Sequence, residues 1–131
     1  MNLNDKAKYW YDLATEDVDV ARVLLGDGKL LYAGFMCHLI IKKGLKAIIA
    51  NTGNDVTPPK IHDLVQLAKQ GGIYAKMDDK QKGFIEILQP LNIEARYPAY
   101  KKNIAASLNE TRCKEIFEKT EGLLQWISQQ F

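Results

Sequence analysis

The sequence predicts an all-α fold, an antiparallel four-helix up-and-down bundle with a short additional helix, and three observations predict it. Apolar residues recur at a period near 3.6 almost everywhere. No stretch alternates apolar and polar over more than a few residues, and glycine and proline clusters divide the chain into helix-length segments. A chain of 131 residues can build one core and little of a second, so residues 1–131 are read as a single domain.

The first helix is expected from about Asn4 to Leu25, with Trp10, Leu13, Ala14, Val18, Ala21, Leu24 and Leu25 on one stripe and Asp12, Glu16 and Asp19 opposite. Gly26-Asp27-Gly28 stops it. The second, about Leu30 to Ala50, is apolar around most of its circumference, since Leu31, Phe35, Met36, Leu39, Ile40, Ile41, Leu45, Ile48 and Ile49 cannot share one narrow face. Such a helix needs contacts on more than one side. Its polar strip is entirely basic, Lys42, Lys43 and Lys46, and Gly44 in mid-helix costs about 1 kcal/mol against Ala unless a neighbour crosses closely there.

Asn51 to Pro59 reads as a loop, because Pro58 and Pro59 bar helix, and a short helix follows from Lys60 to Gln70 until Gly71-Gly72 ends it. A further helix begins near Asp78 or Asp79, whose carboxylates suit an N-cap. It runs through Phe84, Ile85, Ile87, Leu88 and Leu91, kinks at Pro90 and fades before Tyr97-Pro98. The last helix, about Asn109 to Gln130, carries Cys113, Ile116, Phe117, Thr120, Leu123, Leu124 and Ile127 at core spacing, capped either by Asn109 or by a Ser107/Glu110 capping box.

Composition narrows the function classes. With 47% hydrophobic and 26% charged residues and a net charge of only +2, the chain is neither a disordered acidic segment nor a polybasic tail. No apolar run reaches the ~18–20 residues of a membrane span. Cys37 and Cys113 form no metal-binding spacing, and no apolar leader follows Met1, so a cytoplasmic protein with reduced thiols is expected, with no cofactor. No His-x3-His or Glu-x2-His pair falls on any helix, and a metal site is not expected. Ser107 and Ser128 lie in no nucleophile motif, and the glycine pairs follow no strand that would make them a phosphate loop.

The two histidines are therefore weighed singly. His38 lies among apolar residues of the second helix, where a hydrogen-bonded packing role is favoured. As a phosphoacceptor it has its lysines and glycine at the wrong helical angle. His62 opens the short helix, and docking of that helix is its favoured role. Residues 96 to 114 bring Arg96, Lys101, Lys102, Arg112 and Lys114 together with Tyr97 and Tyr100, against Glu110 alone. Basic side chains attract phosphate and tyrosines stack on bases, although the same pattern also suits a solvated connection anchored by its tyrosines.

In order and over nearly the whole length, four segments resemble the HEPN family of small helical domains: Trp10 with Ala14-Thr-Glu-Asp-Val18 and Ala21-Arg-Val-Leu-Leu25; Tyr32-Ala-Gly-Phe35 with Lys43-Gly-Leu-Lys-Ala47; Pro59-Lys-Ile-His-Asp-Leu64; and Ala95-Arg-Tyr-Pro98. Leu39 and Lys42 stand where the family commonly has Gln and Glu. The resemblance implies a helical bundle that forms a homodimer and pairs with a minimal nucleotidyltransferase, often as a toxin–antitoxin system, and the broad apolar surface of the second helix fits such a symmetric partner. Ribonuclease members of the family carry an Arg followed after four to six residues by a His. Here Arg22 is followed at those places by Asp27, Gly28 and Lys29, Arg96 by Lys101, Lys102 and Asn103, and Arg112 by Phe117, Glu118 and Lys119. Neither an amide nor an ammonium replaces imidazole as a base near neutral pH.

The reading is a non-catalytic binding module for a nucleotidyltransferase partner, a nucleotide or RNA, with Arg96, Tyr97, Tyr100, Lys101, Lys102 and His62 as contact residues and no membrane association. Its competitor is a HEPN-type ribonuclease toxin with an atypical active site, in which His62 or a dimer mate supplies the base.

Overall fold

Asn4 both starts the first helix and ties it to the second. Its side-chain oxygen accepts from the Ala7 N–H at 2.8 Å, the N-cap bond of α1 (Asp5–Gly26), while its amide donates to the carbonyls of Ala50 at 2.7 Å and Gly53 at 3.1 Å. The computed structural model describes residues 3–53, 56–93 and 98–131. Because the start of α1 meets the end of α2 (Leu30–Ala50), the two form an antiparallel hairpin around a turn in which Gly28 takes φ +73°, a conformation open to glycine.

The last helix, α6 (Glu110–Ser128), lies along α2 in the same direction. Near its start the Cys113 thiol donates to the Leu30 carbonyl at 3.6 Å, and further along Leu124 and Ile127 reach Gly44. A Cβ at Gly44 would stand 3.0 Å from Leu124 Cδ1, which is the close crossing expected of a mid-helix glycine. Ile40, Ile41, Leu45 and Ile49 are completely or almost completely buried, each contributing about 1.5–3 kcal/mol of apolar burial.

The breadth of α2 is used inside the chain. It is covered by α1 and α6, by α3 (Leu64–Gln70), and by the end of α4 (Asp79–Leu88) with the 3-10 turn Gln89–Leu91 that follows it. Most of its many-sided hydrophobicity thus answers to intramolecular neighbours, while Tyr32 stays exposed and Met36 and Leu39 partly exposed along one side.

The other elements depart from expectation at their ends. α3 begins at Leu64 rather than Lys60, because the Asp63 carboxylate accepts from the N–H groups of Val65 and Gln66 and fixes the N-terminus there. A 3-10 turn, Tyr74–Lys76, precedes α4, and Asp78 with Gln81 forms a full capping box at its start. Pro90 ends α4 in the Gln89–Leu91 turn instead of kinking it. Asn109, not Ser107, caps α6.

One helix was not expected at all. α5 (Pro98–Ser107) occupies the place read as a connection, and it is as long as α4, so three shorter helices, α3, α4 and α5, accompany the long α1, α2 and α6. Pro98 is its first residue, where a missing N–H costs nothing. Among the described residues the fold is all-α with six helices and no strand, and no helix is long and apolar enough to cross a membrane.

Candidate functional site

Tyr100 and Asp63, the residue after His62, are brought to one groove although they lie far apart in sequence. Gln89 does the positioning at the end of α4: its amide oxygen accepts from Leu64 N–H at 2.8 Å and its amide nitrogen donates to the His62 carbonyl at 3.0 Å. One side chain thus locks the start of α3, with His62 just before it, onto the end of α4. Beside this junction Asp63, Val65, Glu86, Gln89, Pro90 and Tyr100 line an open groove of about 390 Å³.

The His62 ring is solvent-exposed, and Lys42 Nζ lies 3.2 Å from its Nδ1. An ammonium only donates, so Nδ1 accepts and the ring hydrogen resides on Nε2. Lys42 is 8% exposed, so this member of the supposed basic strip is buried under the α2–α3 junction rather than displayed on it. The other two are also engaged. Lys43 pairs with Asp17 at 2.6 Å, and Lys46 lies 5.0 Å from the centre of the Trp10 ring, with burial first and Lys43 second pulling its pKa below the ordinary lysine value.

Of the residues expected to make contact, Lys101 and Lys102 follow Tyr100 on the first turns of α5, half-buried and exposed respectively. Arg96 and Tyr97 lie outside the described residues. Arg112, from the same basic stretch, is instead 3.9 Å from Glu115 on its own helix. Sequence reasoning missed Gln89, Asp63 and Glu86. The only signal for Gln89 was its place before Pro90, where a helix end needs partners; Asp63 and Glu86 carried none. Both groove carboxylates are acidic, so the concavity itself repels phosphate, and the positive groups stand on α5 beside it.

The remaining chemical groups are inert. His38 is completely buried with Nδ1 3.1 Å from the Leu88 carbonyl, so Nδ1 carries a hydrogen and donates. This packing role, the favoured one, removes the phosphoacceptor reading. Burial pushes the Cys37 thiol up to about 12, more than its hydrogen bond to Thr120 lowers it, and burial also raises Cys113. Neither supplies a thiolate nucleophile at neutral pH. Among the described residues no three His, Cys, Asp or Glu side chains converge as a metal site.

A family model described as HEPN domain matches residues 7–130. Among solved structures the chain is similar to the crystal structure of TT1696 from Thermus thermophilus, with a TM-score of 0.81 at 16% identity, covering 97% of this chain and 99% of that one. At that identity the likeness speaks for the fold alone. No curated protein matches the chain significantly in sequence.

Proposed function

The chain belongs to the HEPN domain family, and on that premise we propose that it is a non-catalytic binding module, a homodimer whose partner is a minimal nucleotidyltransferase, in a system of the toxin–antitoxin type. The three long helices α1, α2 and α6 together with the shorter α4 are read as an up-and-down bundle, with α3 and α5 as attachments that carry the site. The observation that carries the non-catalytic reading is the Lys42–His62 pairing. With Nδ1 accepting from a buried ammonium, the ring's acceptor lone pair is already engaged and is not on hand to take a proton from a ligand. The absence of an Arg-x4-6-His motif points the same way.

The groove orders the partners. Asp63 and Glu86 oppose the phosphates of a nucleotide or RNA but suit a basic side chain, while Tyr100 and Pro90 offer it a packing surface. A protein partner is therefore preferred over RNA, and any phosphate contact falls to Lys101 and Lys102. Arg96 and Tyr97 are retained as proposed contacts on the strength of the resemblance.

Two measurements test this reading. The pure chain incubated with mixed RNA should leave it intact, and co-elution with a minimal nucleotidyltransferase should be lost in Glu86→Lys and Tyr100→Ala but not in a distant surface variant. RNA cleavage that disappears in His62→Ala would establish the ribonuclease reading in its place.

A further inference from the structure

The seam between α3 and α4 continues past the groove to a second set of charges. The two helices run antiparallel. Leu64 meets Gln89 at one end, and at the other Lys69 and Lys82 meet over the ring of Tyr74, their ammonium nitrogens 5.1 and 4.8 Å from its centre. Lys69 follows the groove residue Val65 by four positions, and Lys82 precedes the groove residue Glu86 by four. Residues four apart share one face of a helix, so both lysines stand one turn, about 6 Å, along the seam from the groove.

One ring thus gathers two positive charges, and the ion pairs among the described residues include neither lysine. Lys82 has Asp78 four residues before it and Glu86 four residues after, the usual partners on a helix, yet its head turns to Tyr74. Lys69 is exposed, and Lys82 and Tyr74 are half-buried, so a partner can reach the cluster. The outer face of the α3–α4 hairpin is therefore ordered, with Asp63 and Glu86 at the groove and Lys69 and Lys82 one turn nearer to Gly71-Gly72.

We propose that this ordered strip receives one helix of the protein partner, whose contacting face carries a basic side chain for Asp63 and Glu86 and, four residues away, a carboxylate for Lys69 and Lys82. The two signs here are separated by one helical turn, and side chains four apart on a facing helix repeat at the same distance. An extended segment would need a sheet edge to join, and the described residues contain no strand. The order of the signs also sets which end of the partner helix faces Gly71-Gly72, because the reverse order brings like charges together. The inference rests on the protein-partner reading above and names the motif that partner presents.

The minimal nucleotidyltransferase is the probe, and calorimetry measures its affinity for the full chain. Lys69→Glu with Lys82→Glu should weaken binding at least about tenfold, and Lys69→Gln with Lys82→Gln should weaken it less, with the helical circular dichroism of both unchanged. Lys114→Glu with Lys119→Glu, on α6, makes the same change in net charge and should have a much smaller effect. In the wild-type complex a carbodiimide should join Lys69 or Lys82 to a partner carboxylate four residues from a lysine or arginine on a helix. Binding that is lost in Glu86→Lys but indifferent to Lys69→Glu with Lys82→Glu overturns the inference and leaves the nucleotidyltransferase reading standing. A wild type that does not bind the nucleotidyltransferase overturns both. An equal loss in the α6 variant reports net charge alone, and a cross-link to a carboxylate in a loop or strand removes the helix; either overturns the inference. Mixed RNA that binds the wild type but not Lys69→Glu with Lys82→Glu assigns the lysines to phosphate in its place.

Discussion

Lys42, Lys43 and Lys46 on α2 and Lys101 and Lys102 on α5 look alike in the sequence, each a short basic run on a helix. The fold treats them oppositely. On α2, Lys42 and Lys46 are buried, and all three lysines meet groups brought from elsewhere: His62, Asp17 and Trp10. On α5 the lysines stand on a helix without a single buried residue. A basic run therefore says little about its role until the neighbouring elements are placed, because a lysine stem packs against apolar surface as readily as its head seeks water or a carboxylate.

The sharpest test of the contrast removes a partner from the buried set. The Asp17 and Lys43 side chains are only 12% and 20% exposed, so Asp17→Ala leaves a half-desolvated ammonium with no counter-charge. Stability should fall by about 2 kcal/mol, less than the cost at a fully buried pair because some water reaches this one. Urea unfolding monitored by circular dichroism measures it, and the midpoint should move without a change in slope. A loss below about 0.5 kcal/mol would place this pair with ordinary surface ion pairs and erase the distinction from α5.

A smaller effect distinguishes Lys46. Burial and Lys43 lower its pKa in the folded chain from an ordinary value of 10.5. Between those two values the unfolded chain holds a proton that the folded chain has released, so the contribution of Lys46 to stability rises with pH as that window is crossed. The stability of the wild type relative to Lys46→Met should therefore increase as pH rises toward the ordinary lysine value of 10.5, read from denaturation at each pH. A flat difference would mean the Trp10 ring compensates the charge fully.

These two cases also show where the sequence was legible. The limits of α2, the close crossing at Gly44 and the packing role of His38 follow from periodicity, glycine cost and apolar neighbours, all local information. The engagement of the α2 lysines depends on α1 and on His62 just before α3, which no local pattern announces. α5 escaped for a different reason: with no buried residue it has no apolar stripe to find, and Pro98 reads as a stop when it is in fact a first-turn residue. At the candidate site the sequence offered His62 and Tyr100 as separate features. Gln89 fixes the first and lines a groove with the second, and its two hydrogen bonds, to the His62 carbonyl and the Leu64 N–H, leave no trace in composition or spacing.

The smallest stability effect belongs to α5, and it completes the contrast. Lys102 is exposed and Lys101 half-buried, and the ion pairs among the described residues include neither. Lys101→Ala and Lys102→Ala should each change stability by no more than about 0.5 kcal/mol, the range of surface substitutions that touch no special feature. Their effect should appear only in association. Beside a groove whose own charges are acidic, these lysines supply the positive half of a mixed-charge surface, so removing them should slow association with the protein partner and flatten its dependence on salt, with little change in the dissociation rate. Stopped-flow association at two ionic strengths separates the two rates. A lysine on α5 whose loss unfolds the chain as Asp17→Ala does would show that α5 is held by its cations after all, and the two basic runs would then differ in degree and not in kind.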